Sequence, residues 1–251
     1  MLKINPNFTT YNSPSFKSNQ RLVFDSKGVL HHQNSTVFFR KDLNWKQFVR
    51  FLNNRFKDVD KVNLFATACS DGSEPWSLAV MLKEQFGDEA DKFFPIMASD
   101  FDPEIIQRAQ NAPCTISSED SRLLKLYTQG NFDKYFEHVK PSYLDLDFSV
   151  MKGAVRPTPY MNSLVNFKVS DITKEIENIP PENSVVLCRN CWRYFSVPKR
   201  QEVAKALSNQ LGESSLVVVG ELEYALNHDG ILRDNGFRQT ALHNVFEKDK
   251  F

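Results

Sequence analysis

Apolar residues fall on one helical face in residues 44–57, where Trp45, Phe48, Val49, Leu52 and Phe56 recur at helical spacing behind Asn44, a candidate N-cap. From residue 62 the pattern changes to short apolar runs alternating with helical ones. Val62-Asn-Leu-Phe-Ala-Thr-Ala68 predicts a buried strand, and residues 75–86 a helix with Leu78, Met81, Leu82 and Phe86 on one side. Residues 94–99 predict a second strand, after which Asp102-Pro103 opens a helix as N-cap and first helical residue. Residues 165–169, 184–188 and 216–219 predict three more strands, and Ser196 and Pro198 open a helix that runs through Leu211. Continuous apolar strands separated by helices predict an α/β fold with a doubly wound, mostly parallel sheet covered on both faces.

The interval 113–163 breaks this rhythm with a helical piece over 122–127 and an irregular stretch containing Pro141, Pro157 and Pro159. A structureless loop of that length is uncommon in a compact domain, so a small inserted subdomain is expected there. Residues 1–19 are polar, and Arg21-Leu-Val-Phe24 and Val29-Leu-His-His32 flank the turn residues Asp25-Ser-Lys-Gly28, as in a hairpin. The expected organisation is an arm and hairpin over 1–33 and one domain over 34–251.

Composition narrows the possible chemistry. The 251 residues carry 31 basic and 31 acidic side chains, a balance that disfavours a nucleic-acid coat, so no nucleic-acid partner is expected. That balance hides an asymmetry: residues 1–60 hold ten basic and four acidic side chains, either a face for an acidic partner or an unevenly charged surface. No apolar run approaches the ~20 residues of a membrane span and the first residues lack an apolar signal core, so a cytoplasmic protein without membrane insertion is expected. Four cysteines make no disulfide framework. Cys188-Arg-Asn-Cys191 has the spacing of half a zinc site or a redox pair. With no second C-x-x-C or H-x-x-x-H it reads as a buried cysteine ending a strand and an unrelated neighbour, and no metal is expected. None of the nine glycines forms a G-x-G, which removes both the dinucleotide fingerprint and the phosphate-cradling loop.

In a doubly wound sheet, ligands bind beyond the carboxyl ends of the strands. After the first strand stands Ser70-Asp-Gly-Ser-Glu-Pro75, where Gly72 permits a tight turn before a helix N-terminus. After the second stands Asp100-Phe-Asp102, whose first carboxylate is placed to accept from a ribose diol. After the third stands Ser170-Asp171-Ile172, with Asp171 an acceptor for an exocyclic amine. After the fourth come Arg189-Asn190, with Tyr194 beyond them. Singly, each has a plainer reading: Asp102 as an N-cap, Asp100 as a loop carboxylate, Glu74 as a helix-dipole partner. In order at four strand ends, they suggest a nucleoside-bearing cofactor without a pyrophosphate, a description that S-adenosylmethionine fits.

The sequence resembles the CheR-type chemotaxis-receptor glutamate methyltransferases. The blocks that carry this resemblance are Asn34-Ser-Thr-Val-Phe-Phe-Arg40, Ala66-Thr-Ala-Cys-Ser-Asp-Gly-Ser-Glu-Pro-Trp-Ser-Leu-Ala79, Ala98-Ser-Asp-Phe-Asp102, Cys188-Arg-Asn-Cys-Trp-Arg-Tyr-Phe195 and Gly220-Glu-Leu-Glu223. The resemblance implies a Rossmann-like class I methyltransferase fold and S-adenosylmethionine as cofactor, with S-adenosylhomocysteine as product. It places Asn34, Thr36, Arg40, Glu74, Asp100, Asp171, Ile172, Arg189 and Asn190 at the cofactor, and Arg40 and Tyr194 near the transferred methyl. It matches 113–163 to a small β-subdomain that in some members docks a receptor tail, and so implies a protein substrate, chemoreceptor-like or otherwise acidic. The family's usual S-T-G-E-E-P and C-R-N-V stand here as Ser70-Asp-Gly-Ser-Glu-Pro75 and Cys188-Arg-Asn-Cys191, and its usual helical N-terminal domain as a hairpin and arm. The expected reaction is methyl-ester formation on a protein glutamate. Alternatives are a cofactor-binding sensor or scaffold without turnover, and a methyltransferase with another substrate. Base methylation is disfavoured: Pro180-Pro181 is flanked by Ile179 and Glu182 and precedes the fourth strand.

Overall fold

The computed structural model describes residues 36–139, 151–220 and 228–249, and the strands β1 (Leu22–Phe24) and β2 (Leu30–His32). These two strands pair antiparallel with Leu22 opposite His32, as a hairpin requires, and the turn expected at 25–28 lies outside the described residues. Helix α1 (Trp45–Arg55) starts where the sequence places it, the Asn44 side chain accepting from the Gln47 N–H at 3.1 Å. Then follow β3 (Asn63–Thr67), α2 (Ser73–Phe86), a 3₁₀ segment over Gly87–Phe93, β4 (Ile96–Asp100) and α3 (Pro103–Asn111). Helix α2 begins two residues before the expected Pro75. That proline sits in the first turn, whose N–H groups have no intrahelical partner to lose.

The interval 113–163 holds β5 (Cys114–Ser117), α4 (Ser118–Tyr127), α5 (Phe132–Tyr135), β6 (Phe136–Val139), β7 (Met151–Pro157) and the start of α6 (Pro159–Leu164). The three strands form an antiparallel sheet in the order β5-β7-β6. The irregular stretch expected around Pro157 and Pro159 is therefore ordered: Pro157 ends β7 opposite Phe136, and Pro159 opens α6 behind the Thr158 cap. The chain continues through β8 (Val165–Val169), α7 (Ile172–Ile176), β9 (Ser184–Leu187), α8 (Val197–Gln210), β10 (Leu216–Val218), α9 (His228–Asp234), β11 (Phe237–Gln239) and β12 (Val245–Lys248).

The main sheet has the order β11-β12-β10-β9-β3-β4-β8. The pairs β3·β4, β4·β8, β3·β9 and β9·β10 are parallel, and β12 runs antiparallel to both its neighbours. The fold is thus mostly parallel and Rossmann-like. Strand alternation sorts the core into two layers. Leu64, Ala66, Val185, Leu187, Leu216 and Val218 join the layer that includes Phe48, Leu52 and Trp76, whereas Phe65, Val186, Val217 and Phe246 join Ile176, Val203, Leu207 and Leu232. The chain moves outward from β3 to β4 and β8, then returns to the other side of β3 with β9 and β10. The crevice beyond the carboxyl ends of β3 and β9 is the switch point where such folds bind ligands.

Candidate functional site

Backbone conformations that side chains rarely adopt gather at this crevice. Ala68, Ser70 and Asn190 have φ of 53°, 52° and 59°, and Phe39 has 47°. Such strain of about 1–3 kcal/mol per residue persists where the surroundings over-determine the chain. Gly72 has φ of 92°, and a Cβ built there would lie 2.9 Å from Phe167 Cζ and 3.1 Å from Trp76 Cζ2. Gly72→Ala is expected to cost about 2–3 kcal/mol and to lower the melting temperature by about 2–4 °C per kcal/mol. A melting curve unchanged by the substitution would contradict this packing.

Arg189 occupies the centre. Its side chain is fully buried between two carboxylates, with Glu74 Oε2 at 2.5 Å on one branch and Asp42 Oδ1 on the other. The Trp45 ring lies 5.4 Å from its guanidinium carbon, which ties the N-terminus of α1 to the site. Sequence reasoning missed Asp42 as a functional residue. Its only local signal is its place two residues after Arg40, and its pairing spans 147 positions. The Arg40 segment is fixed from two sides: Phe39 N donates to Ser77 Oγ at 2.9 Å, and Phe38 N to Asp120 Oδ1 at 3.0 Å. Asp120 also closes a capping box with Ser117 on α4, another link that the sequence reading did not see. Arg40 and Thr36 are half-buried, the Arg40 charge favours ionised Glu74, and Asn34 lies outside the described residues.

Asp100 ends β4 and is buried, accepting from Ser70 N at 3.0 Å and Asp102 N at 3.1 Å on its two oxygens. Loss of solvent raises its pKa, and burial likewise raises Asp71 and Glu74, the latter opposed by Arg189. All three surround Cys69, whose thiol pKa is pushed up by burial first and then by their charges. Asp171 caps α7, taking Thr173 N at 2.9 Å on Oδ1, and its Oδ2 has no partner among the described residues. The Ile172 side chain packs into the core layer of α7 and α8. Asp102 is the N-cap of α3. Tyr194 is half-buried in a 3₁₀ turn, its N–H donating to Cys191 O at 3.0 Å. Cys188 and Cys191 are not unrelated, as the sequence suggested: their sulfurs lie 3.4 Å apart. Among the described residues, no group of three or more His, Cys, Asp or Glu is placed to hold a metal, and no helix is long and apolar enough to cross a membrane.

The model of the CheR methyltransferase SAM-binding domain matches residues 34–238. The chain belongs to this family. CheR relatives include the chemotaxis protein methyltransferases of Salmonella typhimurium strain LT2, 23% identical over 86% of this chain and 68% of that protein, and of Klebsiella aerogenes, 25% identical over 84% and 66%. The chain spans about two thirds of the length of the curated relatives it matches. A magnesium protoporphyrin IX methyltransferase from Synechocystis PCC 6803, solved with bound SAM, is similar at 13% identity and a TM-score of 0.37 over 84% of this chain and 83% of that one. The cofactor of the CheR domain is S-adenosylmethionine, and the site fits it. Buried Ser70 Oγ, Arg189 Nε and Asn190 Oδ1 have no hydrogen-bond partner among the described residues. Such groups are costly unless a ligand or water satisfies them. Burial is the main cause of the raised pKa values of Asp71, Glu74 and Asp100, which places three desolvated carboxyls at the crevice.

Proposed function

We propose that this protein uses S-adenosylmethionine to methylate a glutamate carboxylate on a protein, chemoreceptor-like or otherwise acidic, in the cytoplasm. The observation that carries the reading is the convergence of orphaned buried polar atoms and buried carboxylates at the switch point of a CheR domain. The relatives named chemotaxis protein methyltransferase support the substrate class. In this reading Asn34, Thr36, Arg40, Glu74, Asp100, Asp171, Ile172, Arg189 and Asn190 hold the cofactor, Asp100 through the ribose diol and Ile172 through its backbone. The interval 113–163 serves as an inserted docking subdomain, and 1–33 as an arm ahead of the catalytic domain.

When bound, the cofactor supplies an electrophilic methyl on a sulfonium sulfur. A glutamate acceptor is ionised near neutrality, with an ordinary pKa of about 4.3, so this chain needs no general base. Its residues act by alignment, which supplies roughly 7–11 kcal/mol in well-oriented reactions. Arg40 orients the acceptor carboxylate through its planar fork, and Tyr194 walls the approach. Arg40→Ala is expected to lower turnover about 10–100-fold at saturating cofactor. Unchanged turnover there would remove Arg40 from this role. The reading itself is tested by calorimetry with S-adenosylhomocysteine and by transfer of a labelled methyl to proteins. Base-labile label on protein is the expected result, and absence of cofactor binding overturns the reading.

A further inference from the structure

We propose that Cys188 and Cys191 form a peroxide-oxidisable dithiol whose disulfide weakens cofactor binding through Arg189. The two sulfurs already touch at 3.4 Å, and neither cysteine is disulfide-bonded. They meet because the four-residue turn closes on itself, with Asn190 at φ of 59°. Cysteine pairs at this spacing are a recurrent redox arrangement. The pair is buried in the second core layer, Cys188 completely and Cys191 at 5% exposure, so a small uncharged oxidant such as hydrogen peroxide is the class that reaches it.

In the reaction one cysteine sulfur attacks a peroxide oxygen. The O–O bond breaks, water leaves and a sulfenic acid remains. The second sulfur displaces the sulfenic oxygen as another water and forms the S–S bond. Two thiols lose two hydrogens and two electrons in all, and one peroxide becomes two waters.

The consequence for the site follows from packing. A disulfide needs its sulfurs at about 2.05 Å, so the two sulfurs must close by about 1.3 Å through side-chain rotation and adjustment of the turn. Its two middle residues are Arg189 and Asn190. On the β10 side Asn190 lies in the space that the missing side chain of Gly220 leaves open, since a Cβ built there would lie 2.6 Å from Asn190 Oδ1 and 2.9 Å from its backbone nitrogen. Adjustment of the turn reaches Arg189, whose guanidinium is held between Asp42 and Glu74. The Trp192 indole N–H, donating to Cys188 O at 2.9 Å, and the Tyr194 N–H on Cys191 O couple the same turn to Tyr194. Even a small displacement there disturbs a ligand site that depends on fixed geometry. The effect on binding rests on the proposed cofactor role of Arg189, whereas disulfide formation does not.

The test treats the full chain with hydrogen peroxide, alkylates remaining thiols and maps the peptides by mass spectrometry. The 188–191 peptide is expected to lose about 2 Da and to resist alkylation until dithiothreitol is added. Cys191→Val, which restores the residue usual in the family, is expected to show neither change, and Cys191→Ala serves should the larger side chain disturb folding. Both thiols remaining alkylatable, a disulfide through Cys69 or Cys114 instead, or oxidation ending at sulfinic acid would each overturn the dithiol. Calorimetry with S-adenosylhomocysteine then follows on the same samples. Oxidised protein is expected to bind at least about tenfold more weakly than reduced protein, with peroxide-treated Cys191→Val unaffected. A disulfide without loss of affinity overturns the coupling to Arg189. Reduced protein that binds no cofactor overturns the proposed function instead, and leaves the disulfide result to stand.

Discussion

Arg189→Met is expected to destabilise the fold by about 3–5 kcal/mol and to abolish cofactor binding. The arginine is wholly buried, and its two partners, Asp42 and Glu74, are themselves largely removed from water at 7% and 14% side-chain exposure. Methionine fills much the same volume, so little of the loss comes from packing. What is lost is the cation, and two buried carboxylates are left without their shared partner. The cost of one ion left uncompensated in the interior exceeds the net worth of the pair itself. Adding Asp42→Asn to Arg189→Met should therefore return part of the stability, a coupling of about 0.5–3 kcal/mol in a double-mutant cycle. Arg189→Lys keeps charge but not the two-branched geometry and should fall between. Urea unfolding midpoints measure all three. An Arg189→Met protein within about 1 kcal/mol of the wild type would show that the cluster is not the electrostatic centre described.

Asp100→Asn is expected to weaken cofactor binding about 10–100-fold while leaving the chain folded. Hydrogen bonds to a charged group contribute about 1.5–3 kcal/mol, and the amide replaces an acceptor oxygen with a donor that cannot serve a ribose hydroxyl in the same way. The remaining amide oxygen still takes one of the two backbone N–H groups, from Ser70 or Asp102, so the loop keeps an anchor. A pH dependence accompanies this. Burial raises the pKa of Asp100, Asp71 and Glu74. A cationic cofactor favours their charged forms, so binding lowers those values and releases protons. Affinity must then fall as acidification protonates these groups, from above the ordinary carboxylate range of about 4 downward. Their contribution to the stability of the cofactor-free chain has the opposite sign. A carboxyl raised on folding favours the folded state below its ordinary pKa and loses that contribution as pH rises through the folded value. Calorimetry in buffers of different ionisation heat checks the claim, and uptake of protons on binding would refute it.

The α/β alternation, the caps at Asn44, Asp102 and Ser196, and the strand-end positions of Gly72, Glu74, Asp100, Asp171 and Arg189 are legible in the order of residues. Those features are local: a strand needs only a run of apolar residues, a cap only one side chain near its own backbone, and a parallel sheet brings successive strand ends to one edge. The three-stranded sheet was less legible, because β5 and β6 are short and prolines punctuate the interval. Which strand-end groups touch was decided by tertiary structure alone. Asp42 reaches Arg189 across 147 positions, Ser77 holds the Phe39 backbone, Asp120 holds that of Phe38, and Ile172 turns its side chain to the core. The physical reason is that period and propensity register a residue's neighbours in the chain, whereas a buried charge is stabilised by whatever partner the packed sheet brings within hydrogen-bond reach.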